Sequence, residues 1–108
     1  MPTLKQNMNL KDLQTFVQKF EEKHGWEKND NILNCFLLTE EVGELCRAVR
    51  KAEGLGFDTK KPESEINNVS DEIVDVMNYL LAIANRYNIN LEEAFINKNT
   101  KNLNRNWQ

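Results

Sequence analysis

The sequence is short of nearly everything that would mark a secreted, membrane-spanning or nucleic-acid-binding chain. Its 108 residues include two cysteines, Cys35 and Cys46, which form neither a CxxC pair nor part of a disulfide-dense framework. The thiols are therefore read as reduced and the chain as cytoplasmic. No apolar run approaches the roughly 20 residues that span a bilayer. The opening MPTLKQNMNLKDLQ lacks the apolar stretch of a secretory signal. Positive charge is not in excess: 14 Lys and Arg against 17 Asp and Glu give a net charge of −3, which argues against a general nucleic-acid binder. The two prolines, Pro2 and Pro62, interrupt no periodic segment, and no Pro- or Ser-rich linker, charge block or repeat divides the chain. What remains, 40% hydrophobic and 29% charged, suits a single globular domain over residues 1–108. A core of this size is modest, so further burial through self-association is expected.

Four helices follow from the apolar spacing, and no segment shows the strict alternation of a half-buried strand. The first covers about Leu10 to His24, with Asn9 as its cap, Gly25 as its stop, and Leu10, Leu13, Phe16, Val17 and Phe20 on one face. The second starts after Asp30 or Asn31 and continues to about Glu53, where Gly54 ends it. The loop GLGFDTKKPES carries Gly54, Gly56 and Pro62 as breakers. The third helix covers about Glu65 to Tyr87, and the fourth opens at Asn90-Leu91-Glu92-Glu93, a capping-box spacing. Its end is not fixed by the asparagine-rich tail, since asparagine is a weak helix former. The fold class is all-α, a four-helix bundle.

Two helices carry acids where apolar residues belong. At 100° per residue, Leu33, Leu37, Glu41, Glu44 and Ala48 share one stripe of the second helix. In the third, Glu72 shares an arc with Val69, Val76, Tyr79 and Ile83, and Asp75 lies at its edge. Each buried ion costs several kcal/mol even after relaxation, so four converging carboxylates need partners. Arg47 lies near Glu44 but points elsewhere on the helix, which leaves protonation or bound metal. Carboxylate oxygens without histidine or thiolate suit hard cations such as Mg²⁺ or Mn²⁺. Two such ions would balance four carboxylates, and two-metal acidic sites commonly perform phosphoryl displacement. Acid pairs are also frequent on solvated helix faces, which is the bland alternative. Glu40, turned outward by about 100°, could orient a water or face solvent.

The segments LLTEEVGEL (37–45) and DEIVDVMNYLLAI (71–83) resemble the MazG-like family of all-α nucleoside triphosphate pyrophosphohydrolases. The family pattern, EExxE followed by ExxD, reads here as Glu40-Glu41-Val42-Gly43-Glu44 and Glu72-Ile73-Val74-Asp75. The resemblance extends from about Asp12 to Trp107. It implies a helical bundle, Mg²⁺ dependence (Mn²⁺ as a substitute), and hydrolysis of a nucleotide by metal-activated water to its monophosphate and pyrophosphate. By that carry-over Glu41, Glu44, Glu72 and Asp75 are the metal ligands, with Glu40 a candidate general base. Lys98, Asn102 and Arg105 resemble a KxxxNxxR arrangement that contacts substrate phosphates near the dCTP pyrophosphatase branch. The acid-free stretch from Ala94 to Gln108 suits that role electrostatically, or is a solvated basic terminus. The same branch implies that the Tyr79 hydroxyl reaches the phosphates and that Trp26 stacks on the base. A core tyrosine, and a tryptophan stapling the first two helices, are the structural alternatives. His24, the only histidine, carries no mark beyond its place at a helix end. Positions leading into EExxE match the dCTP branch poorly, which leaves base recognition open.

The resulting expectation is a short, single-domain, Mg²⁺-dependent (deoxy)nucleoside triphosphate pyrophosphohydrolase that cleanses nucleotide pools, binding neither nucleic acid nor membrane. Val74 and Leu81, opposite Glu72 on the third helix, suggest a second apolar face and hence a homodimer or a dimer of dimers, as in the family. The alternatives are a phosphoribosyl-ATP pyrophosphohydrolase and a non-enzymatic helical interaction module. A di-iron bundle is disfavoured, since it needs histidine three residues after glutamate on two helices.

Overall fold

A computed structural model describes residues 2–55 and 62–105, with the backbone alone for 62–67. Four α-helices follow in order: α1 (Leu10–His24), α2 (Asn31–Ala52), α3 (Pro62–Arg86) and α4 (Leu91–Leu103). A single 3₁₀ turn, Trp26–Lys28, follows α1, and the described residues contain no strand. The chain forms two compact units: Met1–Lys28 with Leu81–Gln108, and Asn29–Leu80.

In the first unit, α1 is fixed at both ends by its own sequence. The Asn9 side chain accepts from the Asp12 amide at 2.8 Å while the Asn9 amide donates to Asp12 Oδ2 at 3.1 Å, a reciprocal box that satisfies two otherwise orphaned donors. Gly25 closes the helix at φ 73°, a left-handed conformation in which any side chain would be strained. Val17, Leu81 and Ala82 form the core, with Leu13, Phe16 and Leu91 packed against it. Beside them a polar knot joins α1 to the connection between α3 and α4. Gln14 Nε2 donates to the Ile89 carbonyl at 2.8 Å and to Asn85 Oδ1 at 3.1 Å, while Gln14 Oε1 accepts from the Leu91 amide at 3.0 Å. Asn85 Nδ2 returns a bond to the Gln14 carbonyl at 2.8 Å. Asn88, at φ 54°, supplies the left-handed residue that turns the chain out of α3. Arg86 and Glu21 add an ion pair at 3.1 Å with each side chain only 12% exposed.

In the second unit, Asp30 caps α2 by accepting from the amides of Ile32 at 2.7 Å and Leu33 at 3.4 Å. Gly54, at φ 71°, takes the chain off its end. Ala48 and Asn34 are the buried residues of α2.

Two expectations are corrected and one open helix end is located. The third helix begins at Pro62, three residues before Glu65, because proline's fixed φ and missing donor suit the first helical position. Leu81 does not lie on an open back face: it is 4% exposed, packed in the chain's own core, whereas Val74 is exposed. The fourth helix holds through its asparagines to Leu103, since Asn99 Nδ2 bonds back to the Phe95 carbonyl at 3.0 Å and Thr100 Oγ1 to that of Ile96 at 2.7 Å. Within the loop expected over GLGFDTKKPES, residues 56–61 lie outside the described residues.

Gln14→Leu keeps the volume of the knot but removes the side-chain partner of the Leu91 amide, the Ile89 carbonyl and Asn85 Oδ1, while Asn85 Nδ2 keeps the main-chain carbonyl of residue 14. Urea unfolding should show a loss of about 2 kcal/mol or more; a loss below about 0.5 kcal/mol would show that the knot contributes little.

Candidate metal centre

Helical spacing puts Glu41 one turn before Glu44 on α2, and Glu72 one turn before Asp75 on α3. All four belong to the second unit. One carboxylate oxygen from each of Glu41, Glu72 and Asp75 lies within 4.8 Å of the others. Glu41 and Glu72 are half-buried and Asp75 is exposed, so the cluster has a covered side and an open one. Burial pushes the Glu41 carboxyl above the usual carboxylate range. The charges of Asp75 and Glu72, a hydrogen bond with Glu72 and the charge of Glu44 push it the same way. Glu72 Oε2 is a buried acceptor with no hydrogen-bond partner among the described residues. A buried acceptor left unpaired costs free energy, so this one is a lone pair awaiting a donor or a cation. Oxygen-only ligands, converging negative charge and an orphaned inward oxygen fit a hard divalent cation.

The fourth expected ligand stands apart. Glu44 is exposed and lies 4.0 Å from Arg47 Nη1, so Arg47, expected to point elsewhere, does reach it. Glu44 contributes charge to Glu41 but is not one of the three clustered residues. Glu40 is exposed, and Tyr79, one turn after Asp75, is half-buried.

The other expected site residues belong to the first unit. Lys98 is exposed on α4, and Arg105 is exposed just beyond its end. Asn102 is half-buried, its Nδ2 donating to Asn99 Oδ1 at 3.2 Å. Trp26 opens the 3₁₀ turn and is 46% exposed.

Two features escape the sequence reading. Asn34 is 1% exposed, the most deeply buried polar residue described. Its signal was its register, since it precedes Glu41 and Ala48 by seven and fourteen residues and so shares their helix face. His24 stacks on Trp26 with ring centroids 4.5 Å apart and packs against Phe20 at 4.6 Å. There the signal was the four-residue spacing from Phe20 to His24.

Helices that bring three carboxylates together form the kind of oxygen-only site that suits a hard divalent cation. The model of the MazG nucleotide pyrophosphohydrolase domain matches residues 30–107, and the chain belongs to that family. It is 33% identical over 93 residues to the uncharacterized protein YvdC of Bacillus subtilis (strain 168), covering 81% of this chain and 86% of the relative. It is 34% identical over 87 residues to the uncharacterized protein YpjD of the same organism, covering 79% and 75%. Membership carries a nucleotide pyrophosphohydrolase character and dependence on a divalent metal in general. No helix among the described residues is long and apolar enough to cross a membrane.

The raised Glu41 carboxyl gives a signed prediction. A carboxyl whose pKa is higher in the folded state stabilises while protonated, and that stability is lost as pH rises through the folded-state value. In metal-free protein, Glu41→Gln should therefore raise the melting temperature at pH 7, with the gain shrinking at pH 4. Melts in chelator at both pH values check this, and a lower melting temperature at pH 7 contradicts it.

Proposed function

We propose that this chain is a Mg²⁺-dependent pyrophosphohydrolase of (deoxy)nucleoside triphosphates, releasing the monophosphate and pyrophosphate, and that residues 1–108 act as one domain in nucleotide-pool cleansing. The observation that carries this reading is the 4.8 Å cluster of Glu41, Glu72 and Asp75 with its orphaned Glu72 oxygen, in a chain of this family. Glu41, Glu72 and Asp75 would hold the cation, with Glu44, one turn from Glu41, as a fourth ligand. Bound Mg²⁺ neutralises phosphate charge and lowers the pKa of water, and Mn²⁺ can replace it.

The remaining roles fall to the chain's own groups. A water attacks the α-phosphorus, the bond from that phosphorus to the bridging oxygen breaks, and pyrophosphate departs. Glu40, exposed beside Glu41, accepts the water's proton. Lys98 and Arg105 meet the charge that accumulates on the departing pyrophosphate, and Asn102 and the Tyr79 hydroxyl donate to phosphate oxygens. Trp26 stacks on the base.

The test is pyrophosphate release from canonical and damaged nucleoside triphosphates, with phosphoribosyl-ATP in the same panel, with and without Mg²⁺. Glu72→Gln should cut turnover by more than the tenfold to hundredfold typical of residues that only support ligands, with helicity intact. Near-normal turnover removes Glu72 from the site. Cleavage of phosphoribosyl-ATP alone replaces the substrate assignment.

The reading includes a homodimer or a dimer of dimers, which the modest core of a 108-residue chain favours. Sedimentation at micromolar concentration should give a dimer or tetramer, and a stable monomer contradicts this.

A further inference from the structure

The aromatic cluster at the end of α1 is held far more firmly than its exposure requires. Gly25 turns the chain at φ 73°, which folds Trp26 back so that residues two apart in sequence stack. The imidazole of His24 and the indole of Trp26 have centroids 4.5 Å apart with planes 25° apart. Phe20 meets the indole edge-on, at 5.7 Å and 65°. The Phe20 carbonyl lies 2.9 Å from His24 Nδ1, and a carbonyl can only accept, so Nδ1 carries the hydrogen and the ring orientation is fixed.

The backbone of Trp26 is held as well. Arg86 Nη2 donates to the Trp26 carbonyl at 2.8 Å and to Glu21 Oε2 at 3.1 Å, and the Arg86–Glu21 pair is largely shielded from solvent. All these residues belong to the first unit. A cluster that served only to pack the helix end would be expected to close over its rings. Here the indole, with one face covered by His24, is still 46% exposed. An aromatic surface left open while its ring is stacked and its carbonyl bonded is pre-organised for a flat partner, because part of its ordering cost is met before binding.

We propose that His24 is a positioning residue: it covers one face of the Trp26 indole and holds the ring so that its exposed surface receives a planar nucleobase. The proposal deepens the pyrophosphohydrolase reading and rests on its assignment of Trp26. His24 acts through Trp26 and touches neither phosphates nor cation. One aromatic pair accounts for a change in affinity of about threefold to tenfold.

The experiment is steady-state pyrophosphate release with Mg²⁺ from the best of the canonical nucleoside triphosphates, with inorganic tripolyphosphate as a base-free competitor. His24→Ala should raise KM about threefold to tenfold with a smaller change in kcat, and should leave the inhibition constant of tripolyphosphate unmoved. His24→Phe, which restores a flat ring against the indole, should recover most of the lost KM. An unchanged KM in His24→Ala, or a tripolyphosphate constant that rises in step with KM, overturns the proposal. If Trp26→Ala raises KM and His24→Ala does not, the positioning role fails and base stacking stands. If neither variant moves KM, stacking fails while the metal-centre reading survives. Absence of any nucleotide hydrolysis by the wild type overturns the reading itself, and the proposal with it.

Discussion

Mutual repulsion among carboxylates is the constraint around which the second unit is arranged. Glu41 and Glu72 are half-buried, and their oxygens approach that of Asp75 within 4.8 Å. The Glu41 carboxyl is held above its ordinary range by burial and by the charge of its neighbours. Glu72 Oε2, without a hydrogen-bond partner among the described residues, shows the same frustration from the acceptor side. Local consistency with the fold would replace these acids by leucine or valine, and natural chains depart from that consistency chiefly at functional sites. A hard cation would relieve the repulsion and give the open Glu72 oxygen a partner.

The first unit solves a different problem with different forces. Its apolar core is small, and directional bonds supply what burial alone does not: the Gln14–Asn85 knot, the Asn9–Asp12 box and the shielded Arg86–Glu21 pair. These bonds fix the ends of helices, where Trp26 and the start of α4 emerge. Rigid ends carrying exposed side chains form the kind of scaffold on which binding groups are held precisely enough to discriminate among ligands.

Legibility in the sequence followed the strength of local physics. Asn9 and Gly25 bound α1 as expected, because capping and left-handed turns are decided by a few neighbouring residues. The acids at 41, 44, 72 and 75 were visible as interruptions of apolar stripes. Periodicity gives a direction around a helix, not a side-chain rotamer, so the turn of Glu44 toward Arg47 was not visible. Leu81 was misplaced for a related reason: a helix apolar on more than one side does not reveal whether its own chain or another covers each side. The Phe20–His24 spacing signals their contact, but the stacking of His24 on Trp26 depends on the left-handed Gly25, which helix periodicity does not describe.

The central claim is that the acidic cluster is a cation site whose occupancy depends on Glu72. Electron paramagnetic resonance of Mn²⁺ tests it directly, since bound ions leave the sharp signal of the free ion. Adding the protein should deplete that signal at stoichiometric ratios, and Glu72→Gln should abolish the depletion while its helical circular dichroism matches the wild type. Equal depletion by the two proteins, or none by either, would contradict the account.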